Sequence, residues 1–113
     1  MFRRSLLALP LLAACFAGQA QAQSCDTSFT LINRSGETVN EFYYNPARNP
    51  NWGPDRLGEG VLANGRQRTY RPSRGGSYDF RVVWAGGAEA EVRNIDICAT
   101  SNIIATRSGI TAE

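Results

Sequence analysis

The ten residues NWGPDRLGEG, at positions 51–60, hold the most varied group of chemically capable side chains in the sequence. An indole, two carboxylates and a guanidinium stand close together there, on Trp52, Asp55, Arg56 and Glu59. These side chains can bind a polar partner, and the carboxylates can also supply oxygen ligands to calcium. The spacing of acids that marks a calcium loop is missing, however, and arginines stand in the same segment. We therefore predict a candidate binding loop without a metal, with a calcium-binding loop as an alternative.

Trp52 has two interpretations, because a large aromatic side chain in a loop either packs on the fold or faces a partner. Prolines stiffen this loop, glycines permit its turns, and Leu57, Val61 and Leu62 follow as apolar anchors. Since tryptophan is mostly buried in folded proteins, we expect Trp52 to cover the open end of the core against these residues. The alternative is that the loop binds a ligand, as long loops on rigid scaffolds often do.

A second candidate is the basic segment RQRTYRPSR, in which four arginines surround Tyr70. Strand alternation places Arg66, Arg68 and Tyr70 on one face. Because guanidinium groups suit carboxylates and phosphates, these three residues are a candidate patch for an anion or a glycan. The interpretation that we favour is an edge strand whose charges prevent sheets from joining edge to edge.

The composition excludes several kinds of chemistry. The chain has no histidine, and all twelve of its basic residues are arginine. Histidine-dependent catalysis, Schiff-base chemistry and imidazole-bound metals are therefore excluded, and we expect no cofactor. Paired carboxylates remain, but Glu89 and Glu91 alternate on one strand face, as solvated acids do. We predict that the protein is not an enzyme; the alternative is a small carboxylate-dependent hydrolase acting on envelope glycans.

The N-terminus resembles an export signal. Arg3 and Arg4 precede the apolar run SLLALPLLAACFAG, and Ala20 and Ala22 form a small-x-small cleavage site. We predict a signal peptide at 1–22, a single domain at 23–113 and a periplasmic or secreted location. The segment LLAAC also resembles a lipobox, so a protein anchored to the membrane through lipidated Cys15 is the alternative.

Removal of the signal changes the charge and the cysteine count. The mature chain carries ten arginines against ten acids, so we expect no nucleic-acid partner. Loss of Cys15 leaves Cys25 and Cys98, which allow one intramolecular disulfide in an oxidising compartment. Two free thiols are the alternative. A disulfide over so long a loop would stabilise the domain by about 4 kcal/mol.

The candidate binding residues must be positioned by the secondary structure of the chain. Its short stretches are rich in β-branched and aromatic residues and are separated by glycine, proline and asparagine, which is typical of β-strands. We predict an all-β, antiparallel immunoglobulin-like sandwich of six or seven strands with one disulfide. The out-of-period apolar residues of the second stretch predict a bulge near Asn40 or Glu41. In SYDFRVVWA, Tyr78, Phe80, Val82 and Trp84 should share the inner face. The predicted strand segments are 27–33, 38–45, 61–72 (with a turn at Asn64 and Gly65), 77–85, 88–97 and 101–107.

Three segments in order, FTLINRSGETV, NWGPDRLG and YDFRVVWAGGAEAEVRNIDIC, carry a family likeness. They resemble a family of small exported proteobacterial proteins of uncharacterised function, which combine an Asn-x-Ser/Thr-Gly turn, a Trp-Gly-x-Asp/Asn-x-Leu-Gly loop and a Tyr-Asp-x-Arg-Val strand. The resemblance implies a β-sandwich and no catalytic residues. Members commonly carry a cysteine just before the Tyr-Asp strand. Here Gly76 and Ser77 stand in its place, so the resemblance implies that Cys25 is the partner of Cys98.

These expectations together predict a non-catalytic binding or accessory module of the cell envelope. Its partner would be an envelope protein or a glycan. Contact with the membrane is expected only if Cys15 is lipidated.

Overall fold

The computed structural model describes residues 25–113. Seven strands occur in this range and form two sheets, with the order β3-β1-β6-β7 in one and β2-β4-β5 in the other. The predicted signal peptide and Cys15 lie outside the described residues. The strands are β1 (Phe29–Arg34), β2 (Val39–Pro46), β3 (Gln67–Tyr70), β4 (Ser77–Trp84), β5 (Glu89–Asp96), β6 (Asn102–Thr106) and β7 (Gly109–Ala112).

The predicted all-β sandwich with one disulfide is confirmed, with four strands facing three as in immunoglobulin-like domains, although the connections follow a different order. One pair departs from the antiparallel expectation, because β1 and β6 run parallel. The segment 61–66 is mostly loop, with only a single bridge between Val39 and Leu62. Strand β7, which the pattern did not mark, completes the larger sheet. Within residues 25–113, no helix is long and apolar enough to cross a membrane.

Alternate residues of the strands fill the space between the sheets. The predicted inner face of β4 is confirmed, with Phe80 and Val82 fully buried and Tyr78 and Trp84 nearly so. The ring of Phe29 meets three other aromatic rings edge to face, an arrangement that the charge distribution of aromatic rings favours. The remaining core residues are Leu31, Val39, Phe42, Tyr44, Leu57, Leu62, Ile97, Ile103 and Ala105.

The predicted bulge in β2 is confirmed, since the pairing of β2 with β4 shifts between Val39 and Glu41. A second bulge, which the pattern did not reveal, lies between β4 and β5. There Asn94 adopts a left-handed backbone conformation with φ of 57°, and its N–H donates to Oδ1 of Asp79 at 2.9 Å. Asp79 is buried on the outer side of the sheet, so its carboxylate stabilises this bulge.

The Asn-x-Ser-Gly turn after β1 is stabilised by hydrogen bonds of its own buried side chains. Asn33 is fully buried, and its side-chain NH2 donates to the carbonyls of Glu37 and Leu62. Its Oδ1 accepts from the backbone N–H of Ser35 at 3.1 Å, and the Trp84 indole donates to Ser35 Oγ at 2.9 Å. The polar residues of this turn therefore satisfy buried backbone groups.

The disulfide between Cys25 and Cys98 is present, with the two Cα atoms 5.5 Å apart. The bond lies against Gly75, where an added Cβ would stand 2.6 Å from Cys98 Sγ. Thr27 Oγ1 also donates to the carbonyl of Pro72 at 2.5 Å. The start of the domain thus holds the segment that leads from β3 to β4.

Candidate functional site

The loop at 51–60 covers the open edge of β2. The N–H of Arg56 donates to the Phe42 carbonyl at 2.6 Å, and Arg56 Nη2 donates to the Tyr44 carbonyl at 3.0 Å. Asp55 Oδ1 accepts the N–H groups of Phe42 and Leu57, both at 2.9 Å. The loop therefore replaces a neighbouring strand, which protects an edge that would otherwise expose unpaired backbone groups.

The candidate binding loop does not act as one group of ligands. Asp55 is committed to backbone N–H groups, and Arg56 lies over the Tyr44 ring, with its guanidinium carbon 4.2 Å from the ring centroid. Glu59 is exposed. Within residues 25–113, no three acidic or cysteine side chains come together as they would around a metal ion.

The expectation that Trp52 covers the end of the core is wrong. Its side chain lies half-buried on the outer face of the three-stranded sheet, 6.4 Å from the Tyr43 ring and 5.0 Å from the Arg93 guanidinium carbon. Leu57 and Leu62 enter the core without it, and Val61 remains 52% exposed. The reason is the course of the loop, since Asn45 donates to the Asn51 and Trp52 carbonyls and thereby holds Trp52 outside.

In the predicted anion patch Arg68 stays close to Tyr70, but the Tyr70 ring and hydroxyl already make contacts within the fold. Tyr70 packs against the rings of Phe29, Phe42 and Tyr44, and its hydroxyl donates to the Arg56 carbonyl at 3.2 Å. Burial raises the pKa of Tyr70, while the positive charge of Arg68 acts in the opposite direction. Arg66 and Arg68 remain exposed beside β3, which is an edge strand, as the favoured interpretation predicted.

Other arginines converge at the end of the sandwich where β2 ends and β4 begins. We call this site the arginine cleft; it has a volume of about 520 Å³, and Arg56, Arg71 and Arg74 stand around Tyr44, Pro46 and Tyr78. The pKa of Tyr78 is raised by burial and by the nearby Tyr44, whereas the charges of Arg56, Arg74 and Arg48 act to lower it. Arg48, Arg56, Arg71 and Arg74 therefore place four positive charges at one end of residues 25–113, a range in which ten arginines stand against ten acids.

The arginines of this cleft are not neutralised by ion pairs. Every salt bridge within residues 25–113 involves Arg81 or Arg93, which lie on the outer face of the smaller sheet. Asp26 lies near Arg71, but its pKa is lowered mainly by the N–H of Ser28, with Arg71 as the smallest cause. Because guanidinium groups match planar and tetrahedral oxyanions, the cleft has the chemistry of an anion site.

The basic segment of the sequence already contained two residues of this site, but strand alternation did not group them together. Arg71 and Arg74 belong to the basic segment, but they follow the end of β3 at Tyr70 and line the cleft, which Arg66 and Arg68 do not. Arg56, Tyr44 and Tyr78 come from other parts of the chain.

A smaller cleft lies beside Trp52. We call it the tryptophan cleft; it has a volume of about 180 Å³ and is lined by asparagines at 45, 49 and 51 with Arg48, Asp79 and Arg93. Both carboxylate oxygens of Asp79 accept hydrogen bonds. Oδ2 accepts from Arg93 Nη1 at 3.0 Å, and Oδ1 accepts from the N–H of Asn94. Arg93 also pairs with Glu91.

Glu89 and Glu91, the two acids that alternate on one strand face, pair with arginine. Arg81 Nη2 lies 3.0 Å from Glu89, and its Nε lies 3.8 Å from Glu91. The Arg81 guanidinium also stands over the Tyr43 ring, with its carbon 5.3 Å from the ring centroid. These carboxylates lie along one strand face with a cation between them, whereas a glycosidase places two across the scissile bond.

Comparison of the chain with known protein families, with characterised proteins and with solved structures found no match.

Proposed function

We propose that the protein is an exported, non-catalytic binding module of the cell envelope, and that its ligand presents a carboxylate or a phosphate to the arginine cleft. The observation that carries this proposal is that Arg56, Arg71 and Arg74 line one cleft, and that no carboxylate of residues 25–113 forms an ion pair with them. A periplasmic or secreted location agrees with the Cys25–Cys98 disulfide, since such bonds persist in oxidising compartments.

The construction of the cleft supports binding rather than a merely solvated surface. Arg56 is fixed by its hydrogen bond to the Tyr44 carbonyl and by the Tyr44 ring beneath it. Arg71 and Arg74 stand on the segment that the disulfide and Thr27 hold in place. The guanidinium of Arg56 is thus already positioned and loses less entropy when an anion binds, whereas Arg71 and Arg74 have exposed side chains on a backbone segment that is held in place.

The test is calorimetric titration of the mature domain with inorganic phosphate and with galacturonate, at low and high salt. The variant Arg71→Gln/Arg74→Gln should lose about tenfold in affinity, which corresponds to about 1.4 kcal/mol. Arg66→Gln/Arg68→Gln is the matched control, because it removes the same charge from an exposed edge. It should retain affinity within twofold.

Two results would refute the proposal. One is that wild type binds neither anion, and the other is that the control loses as much affinity as the cleft variant. The second result would show that overall charge, rather than the cleft, attracts the anion.

A further inference from the structure

The segment between β3 and β4 forms one side of the arginine cleft, and we call residues 71–75 the cleft wall. Arg71, Ser73 and Arg74 line the cleft from this segment, and all three are exposed. The wall belongs to no strand or helix. In the part of the chain that the structure describes, no N–H of the wall donates to a backbone carbonyl. Other contacts must therefore hold its two guanidinium groups at the cleft.

Two contacts attach the cleft wall to the disulfide-bonded start of the domain. Gly75 packs on both sulfur atoms, since an added Cβ there would stand 2.6 Å from Cys98 Sγ and 3.0 Å from Cys25 Sγ. Thr27, two residues after Cys25, donates from Oγ1 to the Pro72 carbonyl at 2.5 Å. Opening the disulfide therefore takes away the surface on which Gly75 packs and untethers the chain next to Thr27.

The rest of the sandwich is held by contacts that do not involve the disulfide. Both cysteines are exposed and lie outside the hydrophobic core. The N–H of Ile97 donates to the Gly76 carbonyl at 3.1 Å, and the Tyr78 hydroxyl donates to the Arg74 carbonyl at 2.9 Å. These bonds connect the far end of the wall to two core residues. We therefore expect reduction to loosen the wall and to leave the two sheets in place.

The exposure of the disulfide makes it accessible to a thiol reductant, and exposed disulfides are among those that exchange most readily. One thiolate of a dithiol attacks a sulfur of the bond and forms a mixed disulfide. The second thiol of the reductant then displaces the remaining cysteine. The S–S bond between Cys25 and Cys98 breaks, two cysteine thiols form, and the dithiol leaves as its own disulfide. Two electrons and two protons thus pass from the dithiol to the protein.

We propose that the Cys25–Cys98 disulfide controls the anion affinity of the arginine cleft. With the bond closed, the wall holds Arg71 and Arg74 beside Arg56. When a dithiol opens the bond, the wall loses its position and the anion affinity falls. The coupling is reciprocal, so a bound anion stabilises the closed bond by the same factor. This inference rests on the proposed anion-binding function and adds its regulation.

The first experiment is calorimetric titration of the mature domain with galacturonate and with inorganic phosphate, once oxidised and once in dithiothreitol. We expect reduction to lower affinity about fivefold, at the lower end of usual coupling factors. Cys25→Ser/Cys98→Ser should bind as weakly as the reduced wild type and should not respond to dithiothreitol. Arg66→Gln/Arg68→Gln is the matched control, because it removes charge outside the cleft wall and should keep the wild-type redox response. Near-ultraviolet circular dichroism of the buried aromatic residues reports whether the fold persists.

A second experiment measures the same coupling from the side of the disulfide. The fraction of closed bond is followed in mixtures of reduced and oxidised dithiothreitol, with and without saturating galacturonate. A coupling of about fivefold should lower the reduction potential of wild type by about 20 mV. The anion should produce no shift in Arg71→Gln/Arg74→Gln.

The outcomes separate this inference from the proposed function. Equal or higher affinity of the reduced domain, with the fold intact, would refute the redox control and leave the anion site standing. If the oxidised domain binds neither anion, the proposed function itself fails. Loss of the aromatic signal on reduction would show that the bond holds the whole sandwich, which overturns a control that acts through the cleft wall.

Discussion

Asp55 accepts hydrogen bonds from two backbone N–H groups on different segments, Phe42 in β2 and Leu57 in the following loop. Each N–H would otherwise stand partly buried without an acceptor, which is costly. Arg56, the next residue, donates back to the carbonyls of Phe42 and Tyr44. At the scale of single residues, Asp55 and Arg56 therefore stabilise the fold.

We expect Asp55→Ala to lower the free energy of unfolding by about 2 kcal/mol, because two N–H groups lose their acceptor and each contributes about 1 kcal/mol. Asp55→Asn should cost less, since the amide oxygen can still accept. Glu59→Ala is the matched control in the same loop; Glu59 is exposed and should change stability by less than about 0.5 kcal/mol. Urea denaturation measures all three. Equal effects of Asp55→Ala and Glu59→Ala would contradict this role.

At the scale of elements, the segment between β3 and β4 links the disulfide to the arginine cleft. Gly75 lies against both sulfur atoms, and Arg71 and Arg74 precede it in the chain. On the chain-entropy account, the bond stabilises the domain by about 4 kcal/mol through the constraint that it places on the unfolded chain. In the folded domain it also positions one wall of the cleft.

Gly75→Ala should therefore disturb both stability and binding. The added Cβ would stand 2.6 Å from Cys98 Sγ and 3.0 Å from Cys25 Sγ, so the segment or the disulfide must move. We expect a loss of about 1–3 kcal/mol, as for other overpacked sites, together with weaker binding of galacturonate. Gly60→Ala is the control, because its nearest neighbour, the Leu57 carbonyl oxygen, would lie at an ordinary 3.5 Å. If Gly75→Ala keeps the wild-type melting temperature and galacturonate affinity, the segment accommodates the added Cβ and this prediction is wrong.

At the scale of the whole molecule, the titratable groups determine how stability depends on pH. The chain has no histidine, and in residues 25–113 the cysteines are joined in the disulfide. Tyr70 and Tyr78 pack into the sandwich, and burial raises the pKa of both above the ordinary value of 10.0. Groups with raised pKa values in the folded state keep their protons at a pH where the unfolded chain has lost them.

We expect stability to be nearly constant between about pH 6 and 9 and to fall as the pH rises above about 10. The sign follows from proton binding, since above that pH the unfolded state holds fewer protons than the folded state. Denaturation at a series of pH values, with tyrosinate absorbance followed in parallel, provides the measurement. Tyr70→Phe should reduce the alkaline loss. Stability that rises above pH 10 would be inconsistent with these shifts.

Local patterns in the sequence were sufficient to predict much of the fold. The inward residues of β4 and the bulge in β2 follow from the two-residue period of a strand, which depends on neighbouring residues alone. The disulfide followed from a count, because Cys25 and Cys98 are the two cysteines that remain after the predicted cleavage. Strand β7 was missed because GITA is too short to show a period.

The sequence by itself thus determined the fold class and the disulfide, since these depend on local periodicity and on the cysteine count. The tertiary structure decided which face each loop residue occupies. Hydrogen bonds from Asn45 keep Trp52 outside the core, Tyr70 packs against the core, and Arg56 lines the cleft of Arg71 and Arg74. The physical reason is that the edge of β2 needs backbone partners from a distant segment. Pairing between distant segments, rather than any local pattern, places those side chains.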